Sequence, residues 1–133
     1  MWRSTTLRHA LIIDDEPDVA ASLSDILELM GIKSLVVTAW GSAPTLLADY
    51  NPDIVFSDLR MPEASGITIY RQLITQRPDL AKRFVLVTGD MVGARAEIGA
   101  LPLHERPLVL EKPFSTLDVR SALAAVSDQA LAH

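Results

Sequence analysis

Ala10-Leu11-Ile12-Ile13-Asp14-Asp15-Glu16-Pro17 changes character in a single step: four apolar residues run directly into three acids and a proline. A strand that is apolar at every position has both faces covered, as in a parallel sheet lying between helices. Proline is tolerated at the first position of a helix, where its missing N–H has no intrahelical partner to lose. The stretch therefore reads as a strand, an acidic turn and a helix beginning near Pro17. Val19, Leu23, Ile26, Leu27 and Met30 give that helix one apolar stripe, and Gly31 stands where a stop is expected.

Working outward, the same kind of run recurs at Ser34–Val37, Ile54–Ser57, Phe84–Val87 and Leu108–Leu110. Helical spacing fills the intervals. One helix is expected from about Ser42, with Pro44 in its first turn and Leu46 and Leu47 on its apolar side. Another runs from about Gly66 through Ile67, Tyr70, Leu73 and Ile74. Val92–Leu101 has the weakest pattern, because Gly93 and Gly99 each cost about 1 kcal/mol relative to alanine inside a helix. The last helix begins at Ser115, which forms a capping-box pair with Asp118, and continues through Leu117, Leu123 and Val126. Gly99 to Pro107 reads as an irregular connection. Strand-then-helix units in this succession predict an α/β fold, a five-stranded parallel sheet with five helices on both faces. The expected division is one domain over residues 9–126, an N-terminal extension over 1–8 and a C-terminal tail over 127–133.

Composition narrows the chemistry. The chain has 133 residues, of which 49% are hydrophobic and 22% charged, enough for a single self-supporting core and unlike a disordered chain. The absence of cysteine excludes a disulfide scaffold, a Cys-ligated zinc site and a thiol nucleophile. A net charge of −5 argues against direct nucleic-acid binding through the domain's overall field. The apolar run at His9–Ile13 is too short for a signal-peptide core or a membrane span, so a cytoplasmic setting without membrane insertion is expected.

Parallel α/β sheets bind ligands beyond the carboxyl ends of their strands. Asp14, Asp15 and Glu16 follow the first strand, Asp58 the third, Thr88 the fourth, and Lys112-Pro113 the fifth. Crowded carboxylates raise one another's pKa unless a cation sits among them. A hard divalent ion such as Mg2+ accepts carboxylate, water and phosphoryl oxygens together. Lys112 and Thr88 add an ammonium and a hydroxyl for further phosphoryl oxygens. The chemistry this points to is phosphoryl transfer to an aspartate. Glu16 reads as a first-turn acid favoured by the helix dipole rather than as a ligand.

Leu11 to Pro17, Asp58-Leu59-Arg60-Met61-Pro62, Gly66, Val87-Thr88-Gly89 and Glu111-Lys112-Pro113-Phe114, in this order and at these strand ends, resemble the receiver domain of two-component response regulators. The resemblance spans roughly His9 to Ala125, and its wording is closest to receivers attached to hybrid histidine kinases. It implies the flavodoxin-like (βα)5 receiver fold. It also implies that Asp58 accepts a phosphoryl group from a phosphohistidine of a histidine kinase or histidine phosphotransfer domain. Mg2+ (or Mn2+) would be held by Asp15, Asp58, the backbone carbonyl of Arg60 and, through water, Asp14. Lys112 would pair with Asp58 and then with the phosphoryl group, and Thr88 would move toward it and switch the distal surface. Pro62, Gly66 and Pro113 would shape the surrounding loops. A receiver of this kind promotes its own phosphorylation and dephosphorylation and is not a turnover enzyme on an external substrate. His9, His104 and His133 lack the pattern of a phosphorylatable histidine, so the donor is expected elsewhere, in a partner or a fused kinase, with any output domain also outside these residues.

Two features depart from the family pattern. Val109 stands where many receivers carry an aromatic residue that swings with the threonine, so output is expected to be damped or to run through the backbone after Thr88. Arg60 and Asp90, two residues beyond Asp58 and Thr88, carry opposite charges that could pair across the opening and slow water entry. A haloacid-dehalogenase-like phosphatase would need an aspartate where Arg60 stands. A dinucleotide-binding domain would need a glycine-rich turn after the first strand. The remaining alternative is a non-phosphorylated receiver-like scaffold for protein interaction.

Overall fold

A computed structural model describes residues 7–131. Among them the strands are β1 (His9–Ile13), β2 (Lys33–Val37), β3 (Ile54–Asp58), β4 (Phe84–Thr88) and β5 (Leu108–Glu111). The helices are α1 (Pro17–Leu29), α2 (Ala43–Tyr50), α3 (Gly66–Gln76), α4 (Pro78–Ala81), α5 (Met91–Gly99) and α6 (Thr116–Leu131), with a 3-10 turn at Trp40–Ser42 before α2. All strand pairs are parallel, in the order β2-β1-β3-β4-β5.

The continuous apolar runs divide their side chains between two cores. Leu11, Ile13, Val55, Phe84 and Leu86 pack on one face with Leu47 of α2, Ile69, Tyr70 and Leu73 of α3, Leu80 of α4 and Ala94 of α5. Ala10, Ile12, Ile54, Phe56, Val85 and Val87 pack on the other with Ala20, Leu23 and Leu27 of α1 and Val119 and Val126 of α6. Successive side chains of one strand serve opposite cores, which is why no polar alternation interrupts the runs.

Local signals set the helix ends. Pro17 occupies the first turn of α1, and Gly31 takes the left-handed conformation (φ 80°) that ends this unit. The Ser115–Asp118 capping box is formed in both directions. Ser115 N–H donates to Asp118 Oδ2 at 2.9 Å, and Asp118 N–H donates to Ser115 Oγ at 3.1 Å.

Three differences from the sequence reading stand out. A sixth helix, α4, is a single turn anchored by fully buried Leu80 with proline at its start, too short to produce a periodic pattern. The strands β3 and β4 run one residue further than their apolar content, so Asp58 and Thr88 are the last residues of strands rather than the first of loops. Finally, α6 continues to Leu131, across the boundary drawn at residue 126, since no glycine or proline interrupts its alanine-rich end. Residues 1–6 of the expected extension and 132–133 of the expected tail lie outside the described residues.

Candidate functional site

The sheet register assembles the site. Ile13 is level with Ser57, Asp58 with Val87, and Thr88 with Glu111. Asp14 and Asp58 therefore emerge side by side, and Thr88 and Lys112 follow one residue further along the neighbouring strands. Backbone hydrogen bonds continue past the strand ends: Asp14 N–H to Val37 O (3.0 Å), Leu59 N–H to Val87 O (2.9 Å) and Lys112 N–H to Thr88 O (2.8 Å). The functional groups are thus mounted on sheet backbone rather than on free loops. Asp14, Asp58 and Thr88 are buried, at 3%, 5% and 1% exposure.

Lys112 lies among three carboxylates. Its Nζ is 2.9 Å from Glu16 Oε1, 3.2 Å from Asp14 Oδ2 and 3.4 Å from Asp58 Oδ1. Burial alone would lower its pKa, but the hydrogen bond to Glu16 and the charges of Asp14 and Asp58 outweigh it and hold the ammonium above its ordinary value. Asp58 goes the other way. Its burial first, and then repulsion from Asp14, push its carboxyl up to about 6 despite the opposing pull of Lys112. One lysine does not neutralise this group.

Asp14, Glu16 and Asp58 each offer a carboxylate oxygen, all within 4.8 Å of one another. An all-oxygen donor set with Asp14 and Asp58 buried and Glu16 exposed suits a hard divalent cation. Asp15 is exposed and outside that trio. It borders a shallow depression with Leu59, Arg60, Met61, Pro62 and Ser65. Glu16, read from sequence as a first-turn acid, is the residue preceding α1, and its carboxylate reaches Lys112. Its N–H donates to Asp14 Oδ1 at 2.9 Å, which fixes the turn.

The loop after Asp58 is closed by short bonds. Gly66 N–H donates to Leu59 O (2.9 Å), Arg60 bridges Ser65, and Ser65 Oγ caps α3 by accepting from Thr68 N–H (3.1 Å). Gly66 is required by space, because a Cβ there would lie 2.6 Å from Asp58 O and 2.5 Å from Leu86 Cδ1. Pro62 is exposed on this loop, and the Lys112–Pro113 peptide is cis.

Thr88 Oγ1 accepts from Asp90 N–H at 2.9 Å. Asp90 caps α5 through Gly93 N–H (2.9 Å) and pairs with Arg60 Nη2 (2.9 Å). That capping N–H, and then Arg60, hold the Asp90 carboxyl below the usual carboxylate range. Arg60 Nη1 also meets Glu97 Oε2 at 3.0 Å. Sequence reasoning missed Glu97; its spacing of seven from Asp90, two helical turns, was the available signal. Val109 is half-buried on β5, level with Leu86, and packs against the α3–α5 side of the core.

Residues 10–124 match the family model of the response regulator receiver domain. The chain is 37% identical over 106 residues to the C4-dicarboxylate transport transcriptional regulatory protein DctD of Rhizobium meliloti (strain 1021), covering 76% of this chain and 22% of that protein. It is 29% identical over 122 residues to Protein Rrf1 of Nitratidesulfovibrio vulgaris (strain Hildenborough), covering 92% of this chain and 81% of Rrf1. The crystal structure of a sensor protein from Polaromonas sp. JS666 superposes with a TM-score of 0.79 at 26% identity, covering 92% of this chain and 98% of that one. The chain thus spans about a fifth of the length of regulators such as DctD and most of the length of Rrf1.

Proposed function

The chain belongs to the response regulator receiver domain family, and on that premise we propose that Asp58 is its phosphoacceptor. An Asp58 carboxylate oxygen attacks the phosphorus of a phosphohistidine on a histidine kinase or histidine phosphotransfer domain. The new O–P bond forms as the N–P bond to imidazole breaks, and the imidazole leaves with the electron pair. The observation that carries the reading is the ion pair of buried Asp58 with partly buried Lys112 at 3.4 Å, with Thr88 closing the neighbouring strand.

Lys112 faces the acceptor and is positioned to neutralise charge on the incoming phosphoryl oxygens. Burial keeps water from competing for Asp58 and strengthens every charge interaction around it. The Thr88 hydroxyl accepts from Asp90 N–H in the resting state, and its own O–H is the donor available to a phosphoryl oxygen. Asp15, Asp58, the Arg60 carbonyl and, through water, Asp14 are the proposed holders of Mg2+ or Mn2+, and Glu16 has a carboxylate oxygen within 4.8 Å of those of Asp14 and Asp58. When bound, the ion neutralises the phosphoryl oxygens and the acidic cluster together. The domain then acts as a switch rather than a turnover enzyme, in the cytoplasm, without direct nucleic-acid binding or membrane insertion. Among the described residues no helix is long and apolar enough to cross a membrane. A fused kinase or output domain beyond these residues belongs to the same proposal.

Intact mass after incubation with acetyl phosphate and Mg2+ tests this. The parent gains one phosphoryl mass and Asp58→Asn does not. No gain in a folded, Mg2+-binding parent would favour the interaction scaffold instead.

A further inference from the structure

Arg60 makes contacts that phosphoacceptance does not require. Its guanidinium forks, one arm to Asp90 at 2.9 Å and the other to Glu97 at 3.0 Å. Asp90 precedes α5 and Glu97 lies two turns along it, so one side chain from the acceptor loop grips this helix at both ends. Asp90 is itself a junction. Its N–H donates to Thr88 Oγ1, its Oδ1 accepts from Gly93 N–H, and its Oδ2 accepts from Arg60.

The space for this arrangement depends on a residue that otherwise looks like a defect. A Cβ at position 93 would lie 2.2 Å from Asp90 Oδ2 and 2.6 Å from Arg60 Nη2. Glycine weakens an exposed helix relative to alanine, yet here it leaves room for the guanidinium and the carboxylate to meet. On the other side, Val109 is apolar and half-buried against the sheet, with no polar group to follow Thr88.

We propose that Arg60 is a positioning residue that staples the acceptor loop to α5, so that a change at Asp58 reaches the helix through Arg60 and Asp90 rather than through residue 109. Arg60 is two peptide bonds from Asp58, and its loop is pinned by the Leu59 bonds to Val87 and Gly66, so displacement of the acceptor moves the guanidinium with it. A single exposed ion pair contributes little on its own. The hydrogen bond to Asp90 fixes direction at one end, and the ion pair with Glu97, whose Oε2 is buried without a hydrogen-bond partner, ties the same guanidinium to the helix at a second point. Release of Asp90 N–H by Thr88 leaves Arg60 and the Gly93 cap as the remaining holds on the β4–α5 turn. The inference rests on the phosphoacceptor reading only for the origin of the signal.

The test uses amide hydrogen exchange of the resting protein, and amide shifts on adding Mg2+ with beryllofluoride, for the parent, Arg60→Ala, Glu97→Ala and Gly93→Ala. At rest, exchange across Met91–Gly99 rises about fivefold in Arg60→Ala and about twofold in Glu97→Ala. With beryllofluoride, shifts around Asp58 persist in all variants while those across α5 fall to about half or less. Gly93→Ala crowds both Arg60 and the Asp90 carboxylate that caps α5, so it reports the loss of the whole junction. Glu97→Ala leaves that cap in place and keeps helix propensity, so support alone leaves its α5 response intact, whereas loss of the second arm reduces it. Parent-like resting exchange in Arg60→Ala, or a parent-like α5 response in Arg60→Ala, Glu97→Ala or Gly93→Ala, overturns the staple. Absence of beryllofluoride shifts around Asp58 in the parent counts against the phosphoacceptor reading, and the resting exchange then decides the staple alone.

Discussion

Lys112 Nζ lies closer to Glu16 Oε1, at 2.9 Å, than to Asp58 Oδ1 of the proposed acceptor, at 3.4 Å. The lysine's first partner is therefore a residue with an exposed side chain at the start of α1, and the acceptor shares what remains of its charge. Of the three carboxylates around the ammonium, Glu16 makes the shortest contact.

Glu16→Gln should lower the Lys112 pKa toward its ordinary value, because the hydrogen bond that the ammonium donates to Glu16 is the largest influence raising it. Global stability should change by less than about 1 kcal/mol, since the Glu16 side chain is 59% exposed. NMR titration of the lysine side chain checks the first point and urea unfolding the second. An unchanged lysine pKa would show that Asp14 and Asp58 hold the ammonium without help.

The pH dependence has a definite sign. The fold raises Asp58 from its ordinary value to about 6, so the native state binds a proton more tightly than the unfolded chain. In divalent-free buffer this contribution lowers stability as pH rises from about 4 to about 6, and the penalty is complete above that window. Asp58→Asn removes the charge. It should be more stable than the parent at pH 7 by up to about 3 kcal/mol, with the difference fading toward pH 4. Denaturant unfolding at several pH values with EDTA present measures it; equal stability at pH 7 would contradict the account.

Gly66→Ala should destabilise the protein by about 1–3 kcal/mol, because the added methyl meets the Asp58 carbonyl and Leu86, neither of which can yield cheaply. Gly31→Ala is strained for a different reason, its positive φ, and has no neighbour within 4 Å. The two variants should therefore separate: both lose stability, but amide shifts around Asp58 should accompany only Gly66→Ala.

Arg60 and Asp90 pair across the opening beside the acceptor. Arg60→Ala should lose its phosphoryl group faster than the parent, with unfolding free energy changed by no more than about 1 kcal/mol. Timed intact-mass measurements after removal of the phosphodonor give the rates. Equal or slower loss in the variant would sink the idea.

The sheet was legible because the strands announce themselves twice, by a run dominated by apolar residues (β2, which opens on Lys33-Ser34, being the weakest) and by a change to polar residues where each ends. Ile13-Asp14 and Ser57-Asp58 also show which residues stand at the edge, and parallel register does the rest. The short helix α4 was not legible, since one buried leucine, Leu80, cannot display a period. Nor could spacing rank neighbouring acids. Asp15 and Glu16 look equivalent in a list, but the turn into α1 sends Glu16 to Lys112 and leaves Asp15 exposed. Opposite charges at Arg60 and Asp90 suggested their pairing. The second arm, to Glu97, left only its spacing of seven from Asp90 as a trace, and that spacing has meaning only once the helix and the reach of the guanidinium over it are known.

The most direct test of the central claim locates the phosphoryl group itself. After reaction with acetyl phosphate and Mg2+, borohydride reduces an aspartyl phosphate to homoserine, and peptide sequencing by mass spectrometry finds the converted residue. Conversion at Asp58 alone, absent from untreated protein, is the expected result. Conversion at Asp14 or Asp15 instead, or none in protein shown to be folded and to bind Mg2+, would contradict it.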